Sequence, residues 1–194
     1  VPTRDLERAK LDGAGLPLNI MARSQHITMY GRVLGYEQEH LHRLAYEKRQ
    51  FFDYGGMLHL YPFPELPYWR LHMRRRATPG RWGTEFAHTH PHVLRGVLDA
   101  LRERGPLSNR DFEGNLLANR SYRGGKETSI ALYYLWLTGE VMISHRQGFD
   151  RFYDLSSRIV PPEWDREAPE AEAEDYFARK LIASEGLLRP GRFR

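Results

Sequence analysis

The chain has no cysteine, which excludes disulfides and every metal centre held by thiolates. It has no apolar run long enough to span a bilayer, and Val1 to Asp12 lacks the apolar core of a signal peptide. The expected setting is therefore cytoplasmic, with no membrane partner. Val1 stands where an initiator methionine would, and we read this as processing or as a fragment of a longer product. No internal repeat is present. Gly124-Gly125-Lys126 lacks the earlier glycine of a phosphate-cradling loop, and His88, His90 and His92 come without a His-Glu-x-x-His motif. Their alternate spacing suits a strand, yet Pro91 sets them at a helix entry. Loop and capping roles are expected, no metal is assigned, and no small-molecule cofactor is expected.

What is present fits a mainly α chain with small β-hairpins. The 194 residues suffice for one or two small domains with a real core, and 41% of them are hydrophobic. The net charge is +4 and the pI about 9.4. That balance permits a nucleic-acid partner without requiring one.

The most organised stretch runs from Pro91 to Leu155. Val93, Leu94, Val97, Leu98 and Leu101 form one apolar stripe at helical spacing, and Gly105-Pro106 stops it. Ser108 can cap a second, short helix with Asp111 three residues on, and Leu107 can staple against Phe112; Gly114 ends it. A third helix starts near Lys126 and runs to about Leu137, with Gly139 as its left-handed stop. Glu140 to Ser144 alternates as a strand, His145 to Gly148 is read as a turn, and Phe149 to Tyr153 returns. Helix, short helix, helix, hairpin is the order of a winged helix-turn-helix.

The third helix carries its polar groups at its start, Lys126, Glu127, Thr128 and Ser129, and is apolar beyond them. Recognition helices contact nucleic acid with their N-terminal residues. Arg120 and Arg123 lie just before it, and His145, Arg146, Gln147 and Arg151 lie on or near the wing. With Arg23, these are the candidate DNA-binding residues. The plain alternative is that they are ordinary solvated charges, since this fold also mediates protein contacts.

Upstream, Asn19 to Tyr30 and Glu37 to Lys48 read as helices, the second with Leu41, Leu44 and Ala45 inward. A hairpin follows, Phe51 to Tyr61 around Gly55-Gly56. Helix followed by hairpin thus occurs twice, and tandem winged-helix units are expected: 1–84, with its front incomplete, and 85–165. Pro67 can start a helix that ends in Arg74-Arg75-Arg76. That triplet reads equally as cations complementing a helix C-terminus or as a phosphate-contacting patch. Thr78 to Trp82 is read as a loop or linker. Residues 166–194 are an acidic linker and a helix with Tyr176, Phe177, Leu181 and Ile182 on its apolar face. Two placements stay open for it: the start of a further unit, or packing back on the second.

Several blocks together resemble the AlkZ/YcaQ-like family of interstrand-crosslink DNA glycosylases. They are Asn19-Ile20-Met21-Ala22-Arg23-Ser24; Phe52-Asp53-Tyr54 with Pro62 after it; Gly105-Pro106-Leu107-Ser108 with Asp111-Phe112-Glu113; and Thr138-Gly139-Glu140-Val141-Met142 through Arg146, Gly148-Phe149, Arg151, Tyr153-Asp154-Leu155, Arg158 and Pro161. The resemblance implies tandem winged helices, a C-terminal β-barrel that this chain does not reach, and monofunctional excision of alkylated or crosslinked purines from duplex DNA. It also implies a Gln-x-Gln or Gln-x-Asp glycosylase motif. The matching positions here are Ala14 and Leu16, and neither can orient a hydrolytic water or stabilise an oxocarbenium ion. The family's His-Glu-Ala stretch is absent too, because Gly55-Gly56-Met57-Leu58 follows Asp53-Tyr54.

Three functions of different class remain open on the sequence. One is a DNA-binding member of the glycosylase family that is inactive or incomplete as given. Another is an active glycosylase using a group elsewhere, with Asp53 and Glu140 as fallback candidates. The third is a winged-helix transcriptional regulator or protein-interaction module.

Overall fold

A computed structural model describes residues 24–55, 59–113 and 126–186. The expectations placed on Ala14, Leu16, Asn19, Arg23, Gly114, Arg120 and Arg123 lie outside these residues. The described chain opens with α1 (Ser24–Tyr30) and α2 (Gln38–His42), and α2 passes directly into a π-helical turn, Arg43–Glu47. A hairpin follows, β1 (Phe51–Tyr54) against β2 (His59–Pro62), with Phe52 opposite Tyr61. Gly55, at φ +83°, supplies the positive φ at the end of β1.

The first long helix, α3 (Leu66–Arg76), has Pro67 in its opening turn and the arginine triplet in its last. Next come α4 (Thr84–Thr89) and α5 (Pro91–Arg104). The sequence reading anticipated α5 and its stripe but not α4. That short helix falls where the histidines suggested a loop, so His88 is helical, His90 caps α5 with its ring stacked 4.6 Å from that of Phe86, and His92 sits in the first turn.

A short strand, β3 (Leu107–Ser108), leads into a 3-10 turn at Asn109–Asp111. The expected capping box forms here: Arg110 N–H donates to the Ser108 hydroxyl, and Ser108 N–H donates to Asp111. The last long elements are α6 (Glu127–Thr138), β4 (Val141–Gln147), β5 (Asp150–Leu155), α7 (Ser156–Ile159) and α8 (Glu170–Glu185). The three strands form one antiparallel sheet in the order β3-β5-β4.

One core serves both halves of the chain. Trp136 of α6 is fully buried, and Phe52, Tyr54, Phe63 and Leu66 from the first half join Val97, Leu101, Leu132 and Ile143 from the second. Hydrogen bonds cross the same seam. The Trp136 indole N–H donates to the Asp53 carbonyl at 3.0 Å, and the Tyr54 hydroxyl donates to the Leu137 carbonyl at 2.7 Å. A smaller cluster of Met29, Leu41, Ala45 and Phe51 lies under α1 and α2.

Helix α8 packs back, but on α3 rather than on the second half. The Tyr68 and Tyr176 rings stack at 4.0 Å, and Leu71 buries against Ala168 and Ala173. This contact also supplies carboxylate partners for two of the triplet, Arg74 and Arg75. Arg74 pairs with Glu167 and Glu170, Arg75 pairs with Glu170 and Glu174, and Arg70 pairs with Asp165. Such exposed pairs are each worth about 0–1 kcal/mol, so they orient the helix while the apolar contact holds it.

Gly139 is a point where the backbone itself is under constraint. It stops α6 at φ +82°, and a Cβ placed there would lie 2.6 Å from Met73 Sδ of α3. Gly139→Ala should destabilise the fold by about 1–3 kcal/mol, from left-handed strain plus displacement of Met73. Urea unfolding monitored by circular dichroism measures this, and an unchanged midpoint would show that α3 and α6 are not held together there.

Candidate nucleic-acid interface

The polar head of α6 is anchored to the turn before it. The Lys126 ammonium donates to the Phe112 carbonyl at 3.3 Å, and the Ser129 hydroxyl donates to Asn109 Oδ1 at 2.6 Å. The Thr128 hydroxyl is buried without a hydrogen-bond partner among the described residues. All three remain partly accessible as residues. The first backbone N–H groups of the helix stand beside them, an arrangement that favours an anion.

The β4–β5 hairpin, expected as the wing, is longer than the sequence suggests. His145, Arg146 and Gln147 are strand residues rather than a turn, and the ladder continues to Gln147 opposite Asp150. The cause is a register shift between Ile143 and His145, where one extra residue, Ser144, resets which face the following side chains take. The turn shrinks to Gly148-Phe149, with Gly148 at φ +57°.

That reset changes the role expected for Arg146. Its side chain is only 7% exposed and forms an ion pair with Asp53, whose side chain is 2% exposed. The Arg146 Nε–H donates to Asp53 Oδ2 and to the Tyr46 hydroxyl, and Tyr46 itself donates to the same oxygen at 3.1 Å. Burial opposes the guanidinium charge, but Asp53 and Tyr46 outweigh it and hold the Arg146 pKa above its ordinary value. Arg146 therefore fastens β4 to β1 instead of presenting a cation on the wing surface. Asp53, the fallback catalytic residue, is buried beneath it, and its Oδ1 has no hydrogen-bond partner among the described residues. Glu140, the other fallback, is exposed at the exit of α6.

The remaining wing residues divide. The His145 ring stacks on Phe152 at 4.5 Å, and its pKa is lowered by burial and by the neighbouring His42 and Arg49. It is thereby held neutral at neutral pH and adds no charge for a phosphate. The Arg151 guanidinium lies 5.0 Å from the centre of the Trp136 ring, and it donates to the Tyr153 hydroxyl. Gln147 is exposed at the tip. The structure adds a residue that the sequence reading passed over. Arg110 is 79% exposed, reaches Asp150 at 3.0 Å, and so joins the 3-10 turn Asn109–Asp111 to the tip of the β4–β5 hairpin. The Ser108–Asp111 capping box was the available signal, because it fixes the turn from which Arg110 projects.

Beside the wing turn lies a cavity of about 230 Å³ lined by Gln38, Glu39, His42, Tyr46, Arg146 and Phe149. Glu39 and His42 on its wall also approach Glu47, the ligand-type atoms of the three lying within 4.8 Å of one another. Glu39 precedes His42 by one α-helical turn, and the π turn brings Glu47 onto the same face five residues on. A carboxylate–imidazole–carboxylate set suits a divalent cation or a polarised water.

The buried pair allows a direct test. Asp53→Asn or Arg146→Met alone should cost about 3–5 kcal/mol, since each leaves the other partner's charge or hydrogen-bonding capacity buried and uncompensated. The double variant should be less destabilised than the sum of the two, giving a coupling of at least about 1 kcal/mol. Additive losses in denaturant unfolding would show that the two side chains do not act together.

A protein-family model described as DNA glycosylase AlkZ-like matches residues 12–194. No solved structure matches the chain.

Proposed function

The chain belongs to the AlkZ-like DNA glycosylase family, and from that premise we propose that it serves DNA repair by binding duplex DNA mainly through phosphates, in the excision repair of alkylated or crosslinked DNA. The family match is the observation that carries this reading. The order α5, capped turn, α6, β4–β5 supports it, because in a winged helix the entry of the third helix and the wing approach one duplex together. We assign the duplex contact to the α6 entry at Lys126, Thr128 and Ser129, to Arg110, and to the wing at Gln147 and Arg151. Few of these side chains suit bidentate reading of a base edge; Gln147 is the main one. Binding should therefore discriminate little between sequences.

A phosphate-dominated interface weakens as salt rises, with a log–log slope of about −0.9 per neutralised phosphate. Arg110→Gln with Lys126→Gln should lower affinity about equally on unrelated duplexes and flatten that slope by up to about two units. Fluorescence anisotropy at several salt concentrations measures both quantities. Unchanged affinity and slope would remove the α6 entry from the interface and turn the reading toward a protein-interaction module.

The chemistry has its own test. Ala14 and Leu16 stand where the family's polar pair would position water, so release of alkylpurines from duplex DNA should stay near background. Abasic sites revealed by alkali report it. Release well above background would show that another group, with Glu39 and His42 the nearest polar candidates on the cavity wall, activates the water.

A further inference from the structure

The cavity beside the tip of the β4–β5 hairpin has a corner that the duplex contact does not use. Glu39 and His42 line it and Glu47 meets them, so two carboxylates and an imidazole converge with their ligand-type atoms within 4.8 Å of one another. Glu39 and His42 stand three apart on α2, neighbours on one helical face. Glu47 would not join them on a regular helix, because at roughly 3.6 residues per turn it would lie about 140° round from His42. The π turn Arg43–Glu47 removes that offset. Lys48 N–H donates to the Arg43 carbonyl, five residues back, at 2.8 Å, and the wider turn carries Glu47 round to His42.

The three groups lack partners of the ordinary kind. Among the described residues no lysine or arginine pairs with Glu39 or Glu47. His42 Nδ1 is shut off from solvent and has no hydrogen-bond partner. It lies 3.8 Å from Glu39 Oε1, beyond hydrogen-bond reach, so a protonated imidazole would not bond its nearest carboxylate. Buried polar nitrogens are normally satisfied, and two carboxylates this close repel unless positive charge stands between them. The spacing suits a metal ion: two atoms each about 2.1 Å from one ion stand about 3–4 Å apart at ordinary coordination angles. The wider separations in the set close by rotation of Glu39 and Glu47, whose side chains are exposed.

We propose that Glu39, His42 and Glu47 bind one divalent first-row transition ion of the Zn2+ type, which ties α2 to the π turn. The imidazole selects such an ion over Mg2+, which prefers six oxygen ligands and sheds its waters reluctantly. Three protein ligands leave at least one position for water. His88, His90 and His92 form no comparable convergence among the described residues. A second cavity, of about 210 Å³ between β1–β2 and α3, offers none either: the Tyr61 and Trp69 rings on its wall pack on each other at 4.3 Å, and Phe177 covers Trp69.

The test uses the whole chain, isothermal calorimetry in a non-chelating buffer, and Zn2+ as the probe. One Zn2+ per chain should bind saturably, and Mg2+ at least about tenfold more weakly. Glu47→Gln changes an exposed side chain and is the variant least able to disturb folding; it should weaken Zn2+ at least about tenfold, and His42→Gln as much. Zn2+ should also raise the Tm of the wild type, because it binds the folded chain, and that rise should shrink in both variants. Circular dichroism verifies that each variant is folded. His88→Gln combined with His92→Gln should leave Zn2+ binding as it was. No saturable Zn2+ binding would overturn the proposal and leave a histidine between two carboxylates. Equal binding of Mg2+ would overturn it too, reducing the site to an unselective acidic surface. Zn2+ affinity that survives both Glu47→Gln and His42→Gln in folded protein, or falls with the His88 and His92 pair instead, would make the ion adventitious and overturn it. None of these measurements involves DNA, so this site and the duplex contact stand or fall separately.

Discussion

The ion pair of Arg146 with Asp53 joins two hairpins that are far apart in the chain. Both side chains are almost completely removed from water, and an isolated charge in that position would cost several kcal/mol. The pair is tolerated because Tyr46 adds a third polar group and because the Asp53 backbone carbonyl is occupied separately by the Trp136 indole. One residue thus holds β4 through its carboxylate and α6 through its carbonyl. Beneath it, Phe52 and Tyr54 carry the core from one half of the chain to the other. The β4–β5 hairpin is consequently fixed to the first hairpin close to its turn, one ladder pair before Gln147 and Asp150.

The same constraint governs which cations remain for a ligand. Arg146 is fastened inside, Arg74 and Arg75 face the carboxylates of α8 and the segment before it, and His145 is held neutral. A count of basic residues in the sequence overstates the field such a surface can present, because ion pairs within the molecule cancel part of it. Among the described residues, the proposed duplex contact draws on edge positions such as Arg110, which Asp150 partly offsets, and the entry of α6, with helix N–H groups adding to the side chains.

Much of the architecture could be read from the chain. The α5 stripe, the Gly139 stop, the Ser108 capping box and both hairpins follow from local chemistry, where residue type and backbone conformation are directly linked. What escaped reading depended on distant contacts or on a change of period. Nothing local in Arg43–Glu47 marks a π turn, so the convergence of Glu47 with Glu39 and His42 was hidden. The bulge at Ser144 was equally silent, and with it the inward turn of Arg146. Arg74-Arg75-Arg76 read equally as a helix-end complement or a phosphate patch, since the carboxylate partners of Arg74 and Arg75 lie roughly a hundred residues on. Local patterns fixed the positions of elements better than the work of individual side chains.

The two cavities differ in how their walls are built. The one beside the wing mixes glutamate, histidine and glutamine around a buried guanidinium, suited to polarising water or holding a cation. The one between β1–β2 and α3 is aromatic, with its rings braced by Glu65 and by α8. Packing of α8 onto α3 therefore braces that cavity as well as the fold. Phe177 closes on Trp69 and His72, and Lys180 reaches both Glu65 and the face of Tyr61 at 5.7 Å. Loosening α8 would release the braces on these rings, whereas the Asp53–Arg146 joint is held by Tyr46 and β4. The segment that the sequence marks only as acidic and helical thus shapes an aromatic cavity through one tyrosine stack, one phenylalanine and one lysine.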